Sequence, residues 1–496
     1  MTTKNPKVAI IGSGISGLAA CYVLLNSKSE YKAEVHVIEK NHHFGGHSES
    51  VEWESSGIWV DPAFTLFNKK TYPNFTALLA KLNVATLPTR ITFGVSRKGE
   101  GIAWSSKSLT TVFPEWRSVF SLDLWAMLFD MWWFNQFALE VLRDEKKYSQ
   151  VSLGAYLHDR GFSDSFKKNY IFPLLSSIWI HDPQSSVSEI PVVMAVRYLC
   201  NHCLLNTFTS SVEWLIVKGG AKVYVDALIN SCASAKFERD AEVAHVYPIT
   251  DEGVVKVRLQ DNTEKEFDHV IIATSAPEAS RLLGNGDITE EQRNILDMFD
   301  ITESSVVLHK DETFLPDDPK LRSAWNYHDN GSSCNGSSAA PRVSLTACMS
   351  DIMGLREEEG LILSTLNPAR EPEGDVMEFT YQHPKYDKFT MKAQERLGDI
   401  QGESSIWFAG AWAGDGFHEE GLNKGIECAM KIMKYTEDEL PFTYRNWKAV
   451  ERQPATGVIG YIQAIFAVVP RCVTAFFRCF TLGFHPDHLK PRSKQC

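Results

Sequence analysis

Gly12-Ser13-Gly14-Ile15-Ser16-Gly17 has the spacing GxGxxG, Glu39 follows after about 20 residues, and Lys40 and then Gly45-Gly46-His47 come directly behind it. These residue types at these intervals suit the ADP half of a dinucleotide. Gly12 permits a sharp turn, Gly14 lets backbone N–H groups approach a pyrophosphate, and Gly17 allows a helix and a strand to touch. The helix that follows adds partial positive charge at its N-terminus. Glu39 supplies a carboxylate that can accept from both ribose hydroxyls, which argues against a 2′-phosphorylated ligand. Three glycines alone are a weak signal, and the acid at the right interval makes it specific.

The elements that must hold these groups can be read on both sides of them. Lys7-Val8-Ala9-Ile10-Ile11 is a β-branched run that predicts a strand, Leu18 to Leu25 has the apolar content of a packed helix, and Glu34 to Ile38 predicts a second strand with Glu39 at its tip. A nicotinamide site has no need of another glycine pair just past the ribose acid. Flavoproteins of the glutathione-reductase and amine-oxidase type carry one there to pass the ribityl-phosphate arm, so Gly45-Gly46 favours FAD. Further pieces of the same unit are expected far along the chain. Val254 to Leu259 and Phe267 to Thr274 predict a meander returning to the sheet, Ile406 to Gly410 another buried strand, and Gly421 to Met430 a helix whose start can face the flavin.

At 496 residues the chain exceeds one ordinary core, and two interleaved domains follow as the expectation. The fold class expected is α/β: a Rossmann-type FAD domain (1–90, 205–300 and 400–436) interleaved with an α+β substrate domain (91–204 and 301–399), then a tail over 437–496. Apolar content of 44% and charged content of 23% are those of a globular protein. A net charge of −12 without basic clusters argues against nucleic-acid binding. The N-terminal residues lack an apolar signal core, and ten cysteines without a CxxC pair suit a reducing compartment, so a cytoplasmic location is expected. Cys200-Asn201-His202-Cys203 has no second ligand pair, and no metal site is expected.

Two segments of the expected substrate domain and tail are unusual. Leu122 to Phe134 is an aromatic helix that either fills a core or lines an apolar channel, with Asp123 and Asp130 placed to share one polar face. Asn330 to Ser338 is a polar low-complexity stretch that reads as a loop. In the tail, Val458 to Val469 and Cys472 to Phe480 are apolar runs separated by Pro470-Arg471, too short to span a bilayer. They suit a helix pair packed on the body or a segment in the headgroup plane of an intracellular membrane, with Arg471, Arg478 and Lys490 toward lipid phosphates.

Motifs spread along the chain resemble the flavin-containing amine oxidoreductase superfamily, and within it a group described as predicted NAD/FAD-binding proteins. They are Gly45-Gly46-His47, Gly57 to Asp61 with Phe64, Asn68 to Phe75, Phe172-Pro173 with Ile178-Trp179, Asn201-His202, and Trp214 to Gly220 with Tyr224. Leu308 to Asp311 with Pro316, Leu366 to Pro368, Tyr381-Gln382-His383-Pro384, Phe408 to Trp412, and Gly416 to Leu422 continue the pattern to about Lys434. Asp61-Pro62-Ala63 departs from it, since a small residue and Gly are common after the Asp, and Cys203 stands where relatives often have glycine.

The resemblance implies the two-domain amine-oxidase fold and FAD. Besides the first two glycine clusters it implies cofactor contacts from Asp61, Phe64, Val243, Ala273, Thr274, Gly410, Ala411, Gly421 and Leu422, with His47 binding the flavin or attaching it covalently. It places His418 and Glu419 at the flavin end, where they join His202 as candidates for proton transfer, because an imidazole titrating near 6.5 exchanges protons at neutral pH. Trp179, Trp214, Tyr381, Trp412 and Phe417 are the expected substrate pocket. No second GxGxxG follows a strand, so a dedicated NADPH domain is not expected, and electrons come from the substrate or the reaction is redox-neutral. The functional expectation is an FAD-dependent desaturase, oxidase or double-bond isomerase on a small hydrophobic, lipid-like or polyketide-like substrate, with molecular oxygen or another electron acceptor. The alternatives are an amine oxidase releasing peroxide, and a non-catalytic flavin scaffold.

Overall fold

The computed structural model describes residues 5–63, 65–97, 102–179, 187–202, 204–206, 212–248, 253–284, 288–329 and 344–445. Phe64, Cys203, the polar stretch 330–338 expected as a loop, and the tail beyond 445 lie outside the described residues. The chain opens with strand β1 (Lys7–Ile11), helix α1 (Ile15–Asn26) and strand β2 (Glu34–Ile38). Strands β3 (Lys236–Glu238), β4 (His269–Ile272) and β5 (Ile406–Phe408) return to the same sheet from distant parts of the sequence. All five are parallel, in the order β3-β2-β1-β4-β5. Val8 to Ile11 and Val270 to Ile272 are buried, as expected of parallel strands covered on both faces.

The register of this sheet fixes where a ligand can sit. Ile11 pairs with both Ile38 and Ile272, and Ile272 with Phe408, so the strands end level with one another. Gly12, Glu39, Ala273 and Ala409 therefore emerge along one edge. Strand order also reverses at β1, which opens a crevice beyond the strand ends at that edge. Val255–Leu259 lies in a separate three-stranded antiparallel meander with Val243–Tyr247 and Glu264–Phe267, and only β4 rejoins the parallel sheet.

The other large layer is a seven-stranded sheet. Its order is Met377–Pro384, Ile301–His309, Leu363–Leu366, Ser344–Cys348, Trp325–Asp329, Phe93–Arg97, Ile102–Ser105, with one parallel pair, Trp325–Asp329 beside Phe93–Arg97. Helices α2 (Pro73–Lys81), α3 (Leu122–Phe137), α4 (Phe172–Trp179), α5 (Val192–Asn201) and α6 (His418–Met433) complete what positions the site.

Helix α1 is buried from Ile15 to Leu24 because α6 covers the side that would otherwise face water. Their approach is too close for side chains. A Cβ on Gly425 of α6 would stand 2.0 Å from the Ser16 carbonyl oxygen, and on the other side of α1 a Cβ on Gly17 would stand 2.0 Å from the carbonyl oxygen of Gly12 in the turn after β1.

Helix α3 settles the question its sequence raised. Met127, Met131 and Phe134 face a core shared with Phe162 and Phe166, and the helix does not line the cavity described below. Asp123 and Asp130 do not share a face: Asp123 is exposed, while Asp130 is buried and accepts the Ser163 N–H at 2.7 Å. Just ahead of and at the start of α3, Trp116, Phe120 and Leu122 are 72%, 75% and 82% exposed, with Val119 and Trp125 exposed beside them.

Candidate functional site

At the tip of β1 the chain turns through Gly12, whose φ of +98° and would-be Cβ, 2.8 Å from the Ala273 carbonyl oxygen, leave no room for another residue. Gly14 is different. A Cβ there meets nothing within 4 Å, because it would project into open space in the crevice. Glu39 is buried and already accepts three hydrogen bonds: Ser13 N–H at 2.9 Å and Ser13 Oγ at 2.7 Å on one oxygen, Asn41 N–H at 3.0 Å on the other. The carboxylate thus holds the glycine turn closed, with lone pairs left over for a ligand. Ser13 Oγ also accepts from Gly45 N–H at 3.2 Å, and Gly45 bridges Gly14. A Cβ on Gly46 would lie 3.1 Å from Gly14 Cα, so the second glycine pair packs directly on the first.

From this turn a cavity of about 910 Å³ runs between the two large sheets. Gly12, Ser13, Gly14, Ile15, Ser16, Glu39, Lys40, Gly45, Gly46, His47, Val243, Ala273, Thr274, Gly410 and Ala411 line it, as do Trp179, His202, Trp214, Tyr381, Trp412, Phe417 and His418. Five of the expected site residues do not. Gly17, Gly421 and Leu422 serve helix packing instead: a Cβ on Gly421 would lie 3.0 Å from Ile15 Cγ2, and Leu422 is fully buried in the core. Asp61 turns away to accept the Ala221 N–H at 2.9 Å and the Ser50 hydroxyl, tying the turn beside the cavity to the start of the helix at Lys222–Ser231. Glu419 points at α2, where its two oxygens accept the N–H groups of Asn74 at 2.8 Å and Phe75 at 2.9 Å. It satisfies donors at a helix N-terminus and offers nothing to a substrate.

Helix α6 begins three residues earlier than its sequence pattern predicts, and this puts His418 in its first turn, against the cavity. The ring lies edge-on to Phe75 and Tyr224, and Nε2 is 2.9 Å from Tyr224 Oη. Tyr224 in turn donates to Ser48 Oγ. With that proton directed to Ser48, Nε2 is the protonated nitrogen of His418. His202 sits at the end of α5 in an aromatic cluster, with ring centroids 4.3 Å from Tyr198 and 4.6 Å from Phe417. The expected titration near 6.5 does not survive this burial, which pushes both His418 and His202 down to about 3. Both rings are neutral at physiological pH.

His383, Tyr198 and Tyr386 line the cavity beside the expected residues and were not anticipated as site residues. Tyr381 and His383 are two apart on one strand and so share its face, and the His47 ring lies 5.2 Å from the first and 5.8 Å from the second. Tyr198 and His202 are four apart on α5, a helical spacing that was there to be read. Tyr386 closes the same aromatic wall, 5.6 Å from Trp179. Behind the wall, outside the cavity lining, burial holds Asp415 and Glu420 toward their protonated forms, and Asn201 Nδ2 donates to Asp415 at 3.1 Å. Among the described residues no group of three or more His, Cys, Asp or Glu could hold a metal.

The profile of the flavin containing amine oxidoreductase family matches residues 15–361. The chain belongs to this family. No curated protein matches the sequence. Three solved structures of similar fold are cyclohexylamine oxidase from Brevibacterium oxydans (TM-score 0.59, 15% identity, 87% of this chain and 99% of that one), a CLA-producing fatty acid isomerase from P. acnes (0.59, 13%, 87% and 99%), and putrescine oxidase bound to putrescine (0.60, 13%, 87% and 100%). At these identities they establish the two-domain fold.

The protein is a flavin-dependent oxidoreductase, and its cofactor is FAD. The crevice of this flavoprotein fits that group. Gly14 leaves a cradle that any Cβ would fill, and Glu39 presents a carboxylate with lone pairs to spare at the tip of β2. The Pro62-Ala63 departure is accommodated, since both residues line the cavity while Asp61 anchors their turn from behind.

The buried ionisable groups make the stability of the apoprotein depend on pH in two opposed ways. Burial pushes Glu419 up to about 7 and Asp61 up to about 6, and raises Glu420 as well, so the folded state holds these protons more tightly than the unfolded chain. Their contribution is lost as pH rises from about 4 through about 7. His202, His383 and His418 are each pushed down to about 3, so their contribution is present above about 6.5 and lost as pH falls toward 3. The two trends oppose each other between about 4 and 6.5. Thermal unfolding of the apoprotein should therefore show a broad maximum there, with Tm falling on both sides. A Tm that climbs steadily from pH 6 to pH 8 would contradict these assignments.

Proposed function

We propose that this flavoprotein is a desaturase, oxidase or double-bond isomerase acting on a hydrophobic, lipid-like or polyketide-like substrate. The observation that carries the reading is the wall of Trp179, Tyr198, Tyr386 and Phe417 together with histidines that burial keeps neutral. Lys40, at the ribose end, is the one lysine or arginine among the described residues of the lining. A large apolar body gains about 25 cal/mol for each Å² it removes from water in such a chamber, whereas a free charge placed against this wall would lack a counter-ion there. Bound FAD supplies the hydride or electron acceptor, which is restored by molecular oxygen or another acceptor, or by returning the hydride in an isomerisation. The chain's own part is to exclude water, to orient the substrate, and to hold the His418 ring at the cavity through Tyr224 for proton transfer.

An amine oxidase is the second reading. It is favoured by the family and by the carboxylates of Glu49, Asp300 and Glu303 along the cavity. A fatty acid isomerase and amine oxidases share the fold, so the fold alone favours neither. Anaerobic mixing with product analysis separates them: a long-chain unsaturated fatty acid or its ester should bleach the flavin or be recovered with its double bond moved, and putrescine or cyclohexylamine should do neither. The reverse pattern would replace this proposal by the second reading. In the same assay His418→Ala should keep its flavin spectrum and lose about 100-fold in turnover, while loss of colour would make His418 a cofactor-binding residue.

The location of the protein belongs to the same proposal. Among the described residues no helix is long and apolar enough to cross a membrane. The exposed Trp116, Phe120, Leu122 and Trp125 form an apolar, indole-bearing patch suited to the headgroup region of a bilayer, and the apolar and basic sequence of the tail suits the same surface. Vesicles of phosphatidylcholine with phosphatidylserine should therefore pull down the wild type and release the Trp116→Ser/Phe120→Ser variant. Equal recovery of both in the pellet or in the supernatant would sink the idea.

A further inference from the structure

One face of the seven-stranded sheet also lines the cavity. Trp325, Ala347 and Ser364 stand side by side in register on three adjacent strands, and Leu345, Leu366 and Val306 form the next row, two residues along. Positions two apart on a strand share a face, so the six make one surface, and each row spans about 10 Å across the strands. The cover over this surface is divided. Val306, Leu345 and Leu366 pack with the core that contains α4 and α5, whereas Met349 and Ile352, just past Ala347 in the chain, belong to a separate cluster with Trp53, Val60 and Ile216. Trp325 packs against both. Ala347 stands on the fourth of seven strands, where cover should be most complete, yet it is partly exposed, as is Trp325 beside it. The space above them is the cavity, which runs on as a groove between the two apolar clusters.

The groove suits one kind of ligand. None of these lining residues is charged, and Leu66, which lines the cavity and packs on the second cluster, adds further aliphatic surface. A charged or strongly polar group would lose its hydration there without replacement. A hydrocarbon chain gains instead, by about 4-fold in affinity for each methylene taken out of water. Side-chain size then matters along the floor. Alanine and serine sit directly opposite one another on paired strands, among Trp, Leu and Val, and leave a depression in the sheet surface.

We propose that this groove seats the hydrocarbon chain of the substrate, and that Ala347 and Ser364 set the chain length the enzyme accepts. The assignment rests on the reading that the substrate is an apolar chain, and adds where the chain lies and what limits it. Both residues belong to strands of the seven-stranded sheet, apart from the glycine turn and from the contacts of His418 with Phe75 and Tyr224. Substitutions there change the room for the chain and leave the cofactor's cradle as it is.

The test uses the FAD-loaded enzyme and the saturated methyl esters from hexanoate to stearate, with affinity read from the perturbation of the flavin spectrum. In the wild type, affinity should rise by about 4-fold per added methylene until the groove is full. Ala347→Leu fills the depression with about three more carbon atoms. It should leave the shortest ester unaffected, bring the plateau about three carbons earlier, and weaken the longest esters by about 60-fold. Ser364→Val should move the plateau the same way by about one carbon, and both variants should retain the flavin content of the wild type. Should Ala347→Leu not fold, the nearly isosteric Ser364→Val decides alone. A chain-length profile unchanged from the wild type overturns this inference while leaving the apolar-substrate reading in place. So does an equal loss for esters of every length, which would mean that the residues shape the cavity as a whole. Binding of no ester by the wild type overturns the apolar-substrate reading and this inference together.

Discussion

Gly14→Val should give a folded, colourless protein. A side chain at this position meets no protein atom within 4 Å, and the backbone there, at φ −63° and ψ 177°, lies in a region open to any residue. The substitution therefore leaves the protein's own packing alone and fills the space needed for the diphosphate. Forcing methyl groups into an occupied site costs about 3 kcal/mol, equivalent to a loss of about 100-fold in FAD affinity. Visible absorbance after purification, and a flavin titration of the apoprotein, check the expectation. Gly17→Val is the informative control, because its Cβ would collide with the Gly12 carbonyl oxygen at 2.0 Å. That variant should fail to fold, whereas Gly14→Val should unfold at nearly the Tm of wild-type apoprotein. A yellow Gly14→Val protein would remove the diphosphate from this turn.

Glu419→Ala should lose stability before it loses chemistry. The fully buried carboxylate is the acceptor for two N–H groups at the start of α2, and its removal leaves both donors buried without a partner. The expected loss is about 2–4 kcal/mol, visible in denaturant or thermal unfolding of the apoprotein. Glu419→Gln keeps one amide oxygen as an acceptor and should lose about 1 kcal/mol. Turnover per bound flavin should remain near wild type in Glu419→Gln. A normally stable Glu419→Ala protein that binds FAD and fails only in turnover would return this residue to the catalytic group.

These two residues also mark where sequence reading succeeds and where it stops. The turn at Gly12, the open face of Gly14 and the acid at Glu39 are local demands of one β-turn-α-β unit, so residue type and spacing disclose them. Glu419 stands beside His418 in the sequence, yet its partner Asn74 lies 345 residues away, and Asp61 is used by Ala221, 160 residues away. Nothing local announces that a carboxylate has been committed to a distant backbone N–H. The histidines fail for a related reason: their residue type suggests titration near neutrality, while their protonation is set by burial that only the assembled fold creates. Tyr198 with His202, and Tyr381 with His383, were legible in principle, since helical and strand periodicities place each pair on one face. The adjacency of Ala347 and Ser364 was not, because it exists only once their strands pair.

The backbone contact between α1 and α6 has a bearing on how this enzyme could change its substrate. One helix starts at the diphosphate turn and the other starts at His418, and where Gly425 meets Ser16 they are locked without side chains that could re-pack. The cofactor is thus gripped by an inelastic frame. Variation in ligand size must be absorbed on the opposite bank, by α4, α5 and the sheet carrying Tyr381, and libraries intended to shift selectivity belong there, with the glycine seam left untouched.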